Sequence, residues 1–188
     1  VHRRGVRQLQ LLHFLRSDLG DNQTESPEQG GLSALGREVI AESNRLGMVV
    51  DTAHGTMQFV EQAAKASRKP LLLSHTHVTT RLRPLSRLVS REHAKLIAQT
   101  GGVVGIWSIG TPTETLSTFT DRVARAVDAV GVEHVGLGSD VGGTRHNVWS
   151  DYASFPEIVR SLRQKGFSVE DIGKIVGGNY VRVFNASC

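Results

Sequence analysis

The sequence predicts an α/β fold, with about five short parallel strands and covering helices. Three observations predict it. Short apolar runs alternate with longer amphipathic segments along the chain. The runs are apolar on both faces, as in a sheet buried under helices. Polar residues, histidines above all, gather where the runs end. A strand-then-helix rhythm implies parallel strands joined by right-handed crossovers.

The elements follow in order. "GVRQLQLLH" (5–13) reads as a strand, with Val6, Leu9 and Leu11 apolar and His13 at its end. The polar, Gly-rich stretch "RSDLGDNQTESPEQGG" follows, long for an ordinary connection and so expected to be functional or mobile. Residues 33–46 read as a helix capped by Ser33, with Leu35, Val39, Ile40 and Leu46 inward and Gly47 as its stop. The strand "MVVDTAH" leads to a helix near 56–67, capped by Thr56, with Phe59, Val60, Ala63 and Ala64 inward. Pro70 precedes the strand "LLLSHTH", and an Arg-rich loop comes after it. Ser90 caps a helix that ends at Gly101-Gly102. "VVGIWSIG" is a strand, 117–130 a helix, and "HVGLGSD" the last strand. Ser154 and Glu157 are expected to form a capping box, with Pro156 in the first turn. Ser168 caps a short helix, and "GGNYVRVFNAS" closes the chain with another.

The whole reads as one domain, residues 1–188, with no internal repeat, low-complexity tract or linker. A net charge of +4 and a pI near 9.6 look basic, but the cations are dispersed and aromatics make up only 5%. Nucleic-acid binding is therefore not expected, because single-strand binders need stacking platforms beside the charge. No apolar run approaches the ~20 residues of a membrane span. The lone Cys188 excludes a disulfide framework or a Cys-based zinc site within the chain. The compartment and the oligomeric state stay open; a homodimer is compatible with the sequence.

Chemistry-bearing residues end the strands: His13 the first, His54 the second, His75 the third and Asp140 the fifth. In a parallel α/β fold these ends share one face, which in a (β/α)8 barrel is the active face. His54 and His75 are one βα unit apart, and neighbouring strands lie about 4.8 Å apart. Two imidazoles on adjacent strand ends can converge on one Zn²⁺. Asp140, in "GLGSD", is expected to ligate metal or to act as general base. His77 reads as a loop residue, His93 as solvated on its helix, His134 as lying at the opposite end, and His146 as a solvated loop residue.

"GGLSALGREVIAESNRLGMVVDTAH", "PLLLSHTH", "HVGLGSD" and "GGNYVRVF" together resemble the renal or membrane dipeptidase family of zinc peptidases. The resemblance implies a (β/α)8 barrel, a two-zinc centre and hydrolysis of dipeptides, with β-lactams or related amides as substrates of some members. It implies that His54 and His75 are the histidine ligands of the second zinc. Asp140 would be the catalytic aspartate, and His13 the histidine that contacts substrate and supports the developing oxyanion. Arg87, in "PLSRLVS", would hold the substrate carboxylate, with Arg83 and Arg81 as alternatives. A guanidinium suits that task because its fork binds a carboxylate at two points.

The chain departs from the family in two places. "DVGG" stands where the family often has "DFDG", so Gly142 replaces a second acidic residue. No His-x-Asp pair for the first zinc occurs, and no strand-end glutamate precedes His13. A barrel has eight strands, so the expectation is a partial barrel lacking its N-terminal strands: the C-terminal part of a longer enzyme. The alternatives are another metal-dependent amidohydrolase, or an inactive truncated fragment lacking the first-zinc ligands.

Overall fold

In the computed structural model, which describes residues 1–188, the apolar runs pair as one parallel sheet in sequence order. The strands are β1 (Gln8–Gln10), β2 (Val49–Asp51), β3 (Leu71–Thr76), β4 (Val103–Trp107) and β5 (Val135–Gly138). Leu9 lies opposite Val50, Leu72 opposite Val103 and Ile106 opposite Leu137. Sequential order joined by right-handed crossovers puts the connecting helices on one face of the sheet. These helices are α1 (Ala34–Leu46), α2 (Met57–Ala66), α3 (Arg91–Gln99) and α4 (Leu116–Val130), followed by α5 (Phe155–Gln164).

The main core fills the space between the sheet and these helices. Val50, Leu71, Leu73, Val104, Ile106 and Val135 meet Ile40, Phe59, Ile97, Phe119, Val123 and Ile158 there, all buried. The opposite face is concave and borders a cavity of about 750 Å³ lined by Gln8, Gln10, Asp51, Ser74 and three strand glycines, among others. At the chain's end come α6 (Val169–Gly173), a π-turn, and α7 (Asn179–Ser187). Val183 of α7 packs with Val49, Leu72 and Val103 in a second, smaller cluster.

The helix starts obey local chemistry. Ser33, Thr56, Ser90 and Ser168 each accept a backbone N–H of their own first turn. Gly47 ends α1 at φ 69°, where an L side chain would be strained.

Four expectations change. The first strand is confined to Gln8–Gln10 rather than 5–13. Leu35 is exposed, because α1 approaches the core through Gly36, Ile40 and Ser43 instead. A Cβ on Gly36 would lie 2.2 Å from the Leu19 carbonyl, so only glycine permits that approach. The capping box at Ser154 does not form; the Asp151 carboxylate accepts from the Ser154 N–H (3.1 Å) and hydroxyl (2.9 Å) one turn earlier. His93, read as solvated, is 3% exposed, because its position on α3 faces the same core as Ala94 and Ile97.

Candidate active site

The C-terminal ends of β2 and β3 build the centre of the site. After Asp51 the chain turns sharply, and His54 sits at φ 73°. A left-handed conformation is costly for a residue with a Cβ, of order 1–3 kcal/mol, and persists only where surroundings enforce it. Here they do. The Thr52 N–H and hydroxyl both donate to the Leu72 carbonyl (2.7 and 2.9 Å), and the His54 carbonyl accepts from the Gln23 N–H (2.7 Å). Asp140 is also left-handed, at φ 47°. Of the three non-glycine residues with positive φ, two are therefore strand-end site residues.

β3 reaches the site through an irregularity. Its pairing with β4 shifts register between Leu73 and Thr76. Ser74 and His75 consequently both line the concave face, which strict alternation along a strand would forbid. The Ser74 carbonyl is pushed against the neighbouring strands. A Cβ on Gly105 would lie 2.0 Å from that oxygen, and one on Gly138 2.2 Å from it. Both glycines make room for the bulge that aims His75.

The imidazoles then converge. Nε2 of His54 lies 3.3 Å from Nε2 of His75, and the His75 Nε2 lies 4.0 Å from Oδ2 of Asp140. Burial, aided by the nearby Arg87, His75 and His13 charges, pushes the His54 imidazole down to about 3. Burial pushes His75 down to about 4, although Asp140 opposes the shift. Both rings are therefore neutral at pH 7, the form that ligates metal. The Ser74 hydroxyl lies 2.8 Å from Nδ1 of His75, so it can accept Nδ1–H and leave Nε2 bare. Two nitrogens on one tetrahedral zinc, each at 2.0–2.1 Å, stand about 3.3–3.4 Å apart. The observed 3.3 Å fits that edge. No set of three or more His, Cys, Asp or Glu side chains in this chain is arranged to hold an ion.

Around this pair, Asp51 lies beneath, fully buried, accepting from the Ala53 N–H (3.0 Å), the Ser74 N–H (3.1 Å) and Gln8 Nε2 (3.2 Å). Its burial pushes the carboxyl above the usual range. His13 lies at the exposed rim, its ring 4.5 Å from that of His54, and Phe14 meets His54 edge-on at 4.9 Å. Trp107, at the end of β4, has the His75 ring 5.4 Å away and the Arg87 guanidinium carbon 5.7 Å from its own centroid. Burial pushes Arg87 down to about 10, against the pull of Asp140 and Asp51.

Over residues 1–187 the chain matches the sequence model of the membrane dipeptidases, peptidase family M19. The chain belongs to this family. Curated relatives include dipeptidase aclJ of Aspergillus oryzae, 31% identical over 97% of this chain and 45% of its own length. Dipeptidase tcpJ of Claviceps purpurea is 33% identical over 97% and 45%. The chain thus spans about half the length of the curated relatives it matches. Among solved structures, an amidohydrolase from Pseudomonas aeruginosa superposes with a TM-score of 0.88 at 25% identity, over 98% of this chain and 66% of that one. A metallopeptidase from Rhodobacter sphaeroides, solved with a phosphinate mimic of L-Ala-D-Ala, superposes at 0.87 and 22% identity, over 100% and 57%. The parallel, helix-covered sheet therefore superposes on part of the fold of each of these two structures.

Within this membrane dipeptidase chain, His13, His54, His75, Asp140 and Arg87 all lie at one mouth of the sheet. Arg81 and Arg83 are exposed in their loop, and only Arg87 reaches inward. His77 stands outside: its Nε2 donates to the Trp107 carbonyl (2.8 Å) away from the His54–His75 pair. His134 contacts the Gly102 carbonyl (2.9 Å) at the opposite end, and His146 is exposed. Sequence reasoning missed Gln23, Trp107 and the structural role of Asp51. Asp51 carried a signal, a carboxylate inside an otherwise apolar run. Gln23 carried none, being one polar residue in a polar loop.

Proposed function

We propose that this chain forms one wall of a zinc-dependent dipeptidase active site, the activity belonging to the whole protein. The observation that supports it best is the pair of neutral imidazoles, Nε2 to Nε2 at 3.3 Å, beside the Asp140 carboxylate. His54 and His75 would hold one zinc. When bound, zinc supplies Lewis acidity and a water that loses its proton near neutral pH. Asp140 accepts a proton from the attacking water and returns it to the departing amine. Its side chain is 32% exposed, so solvent and substrate reach it. Arg87 binds the substrate carboxylate through Nε and Nη2, which are buried and have no hydrogen-bond partner within the chain. His13, at the rim, faces the substrate and supports charge developing on the carbonyl oxygen.

The test is Asp140→Asn in the whole enzyme. Turnover of a dipeptide should fall by about 10²–10⁴-fold, with zinc content unchanged; undiminished turnover removes Asp140 from this role. A second reading, hydrolysis of other amides, is favoured by the likeness to the P. aeruginosa amidohydrolase. Rates on dipeptides, N-acyl amino acids and cyclic amides separate the two.

A further inference from the structure

We propose that Gln23 is a positioning residue for Arg87, fixing which edge of the guanidinium meets the substrate and so selecting for a free carboxylate. The inference rests on the dipeptidase reading above.

Gln23 lies in the loop between β1 and α1, and the structure builds it in from both sides. The preceding Asp21 carboxylate gathers the loop by accepting from the backbone N–H groups of Glu28 (2.7 Å), Gln29 (2.8 Å) and Gly31 (2.6 Å). The Asp21 carbonyl accepts from the Thr56 N–H (3.1 Å), and Asn22 pairs with Gly55 in an isolated bridge. This segment is therefore laced to the turn that carries His54. The Gln23 N–H continues the lacing by donating to the His54 carbonyl at 2.7 Å.

The side-chain amide then spans Arg87 and its neighbour. Its Oε1 accepts from Nη1 of Arg87, and its Nε2 donates to the Leu88 carbonyl at 3.2 Å. The Arg87 carbonyl is held separately by the Thr76 hydroxyl (3.0 Å). With one N–H of Nη1 given to Gln23, Nε and Nη2 are the guanidinium nitrogens that are buried without a protein partner. These two lie along the same side of the planar guanidinium. That side presents two parallel N–H groups, the fork that matches the two oxygens of one carboxylate.

The residue type matters. A neutral amide oxygen ties down one N–H without neutralising the cation. A glutamate at 23 would pair with Arg87 as an ion and compete with the substrate. An apolar side chain would release the guanidinium to rotate, so that the fork is presented only part of the time.

The experiment uses the whole enzyme with Gln23→Leu, Gln23→Glu and Gln23→Met, the last keeping the side-chain length should the leucine variant not fold. Zinc-free protein is titrated by calorimetry with L-alanyl-L-alanine and with its C-terminal amide, and kcat and KM for the acid are measured on zinc-loaded protein. Leu and Met should each weaken binding of the acid about 10-fold, the loss of one charged hydrogen-bond geometry, and Glu at least as much. The amide should bind as to wild type, and kcat should change less than KM. Variants that bind the acid as wild type does, or that lose acid and amide equally, overturn the role of Gln23. A wild-type enzyme that binds acid and amide alike overturns the carboxylate reading of Arg87 beneath it.

Discussion

Acid should destabilise this fold through a buried histidine of α3. His93 on α3 is 3% exposed, and burial, with a contribution from Arg87, pushes its imidazole from 6.5 down to about 4. The sign follows from proton binding. Between pH 4 and 6.5 the unfolded chain takes up a proton at this site that the folded chain refuses. The stability linked to His93 is fully present above pH 6.5 and is lost as pH falls towards 4. At pH 5 the unfolded imidazole is about 97% protonated and the folded one about 9%. The ratio of the two binding terms is about 30, which is about 2 kcal/mol in favour of unfolding. At pH 7.5 the same ratio contributes less than about 0.1 kcal/mol. The perturbation is His93→Leu, which cannot titrate. Urea unfolding, followed by the fluorescence of Trp107 and Trp149, is measured at pH 7.5 and pH 5.0. His54, His75 and His77 shift in the same direction, so both proteins lose stability on acidification. Wild type should lose about 2 kcal/mol more than the variant. Equal losses would show that His93 is not held neutral by burial, whatever the variant's stability at pH 7.5.

Three further outcomes are expected. Gly138→Ala places a Cβ 2.2 Å from the Ser74 carbonyl oxygen and 3.1 Å from the His75 Cα; it should cost about 1–3 kcal/mol by overpacking and lower zinc affinity of the whole protein about 10–100-fold, whereas normal zinc binding would show that the bulge does not aim His75. Asp51→Ala strips the acceptor from the buried N–H groups of Ala53 and Ser74; urea unfolding should reveal a loss of about 2–6 kcal/mol, at 1–3 for each stranded group, and a loss below that range would mean the turn finds other acceptors. His54→Ala and His75→Ala should each reduce bound zinc, read by elemental analysis of the whole protein, while His13→Ala should leave it intact; retention of zinc in either of the first two removes that residue from the ligand set.

Much of the architecture was legible because it is local. The caps at Ser33, Thr56, Ser90 and Ser168 depend on one side chain and the next turn of backbone. The strand ends at His54, His75 and Asp140 were legible because apolar runs stop there, and parallel strands bring such stops to one face. Where the reading failed, a distant partner decided the outcome. Leu35 turns outward because Gly36 meets Leu19 across the loop. Ser154 yields to Asp151, whose carboxylate takes both the Ser154 N–H and its hydroxyl. His93 is buried because α3 rests on the core along the stripe that contains it.

By itself the sequence determined the strand–helix order, the helix starts and the set of polar residues delivered to one mouth. Periodicity and capping act over a few residues, and the chain carries that information directly. Only the tertiary structure decided that β3 bulges at Ser74 into space left by Gly105 and Gly138. Only it decided that Arg87, rather than Arg81 or Arg83, enters the site, and that Gln23, 64 residues away in sequence, holds it there. Such pairings depend on register and on where crossovers set down their loops, and no repeat or spacing along the chain encodes them.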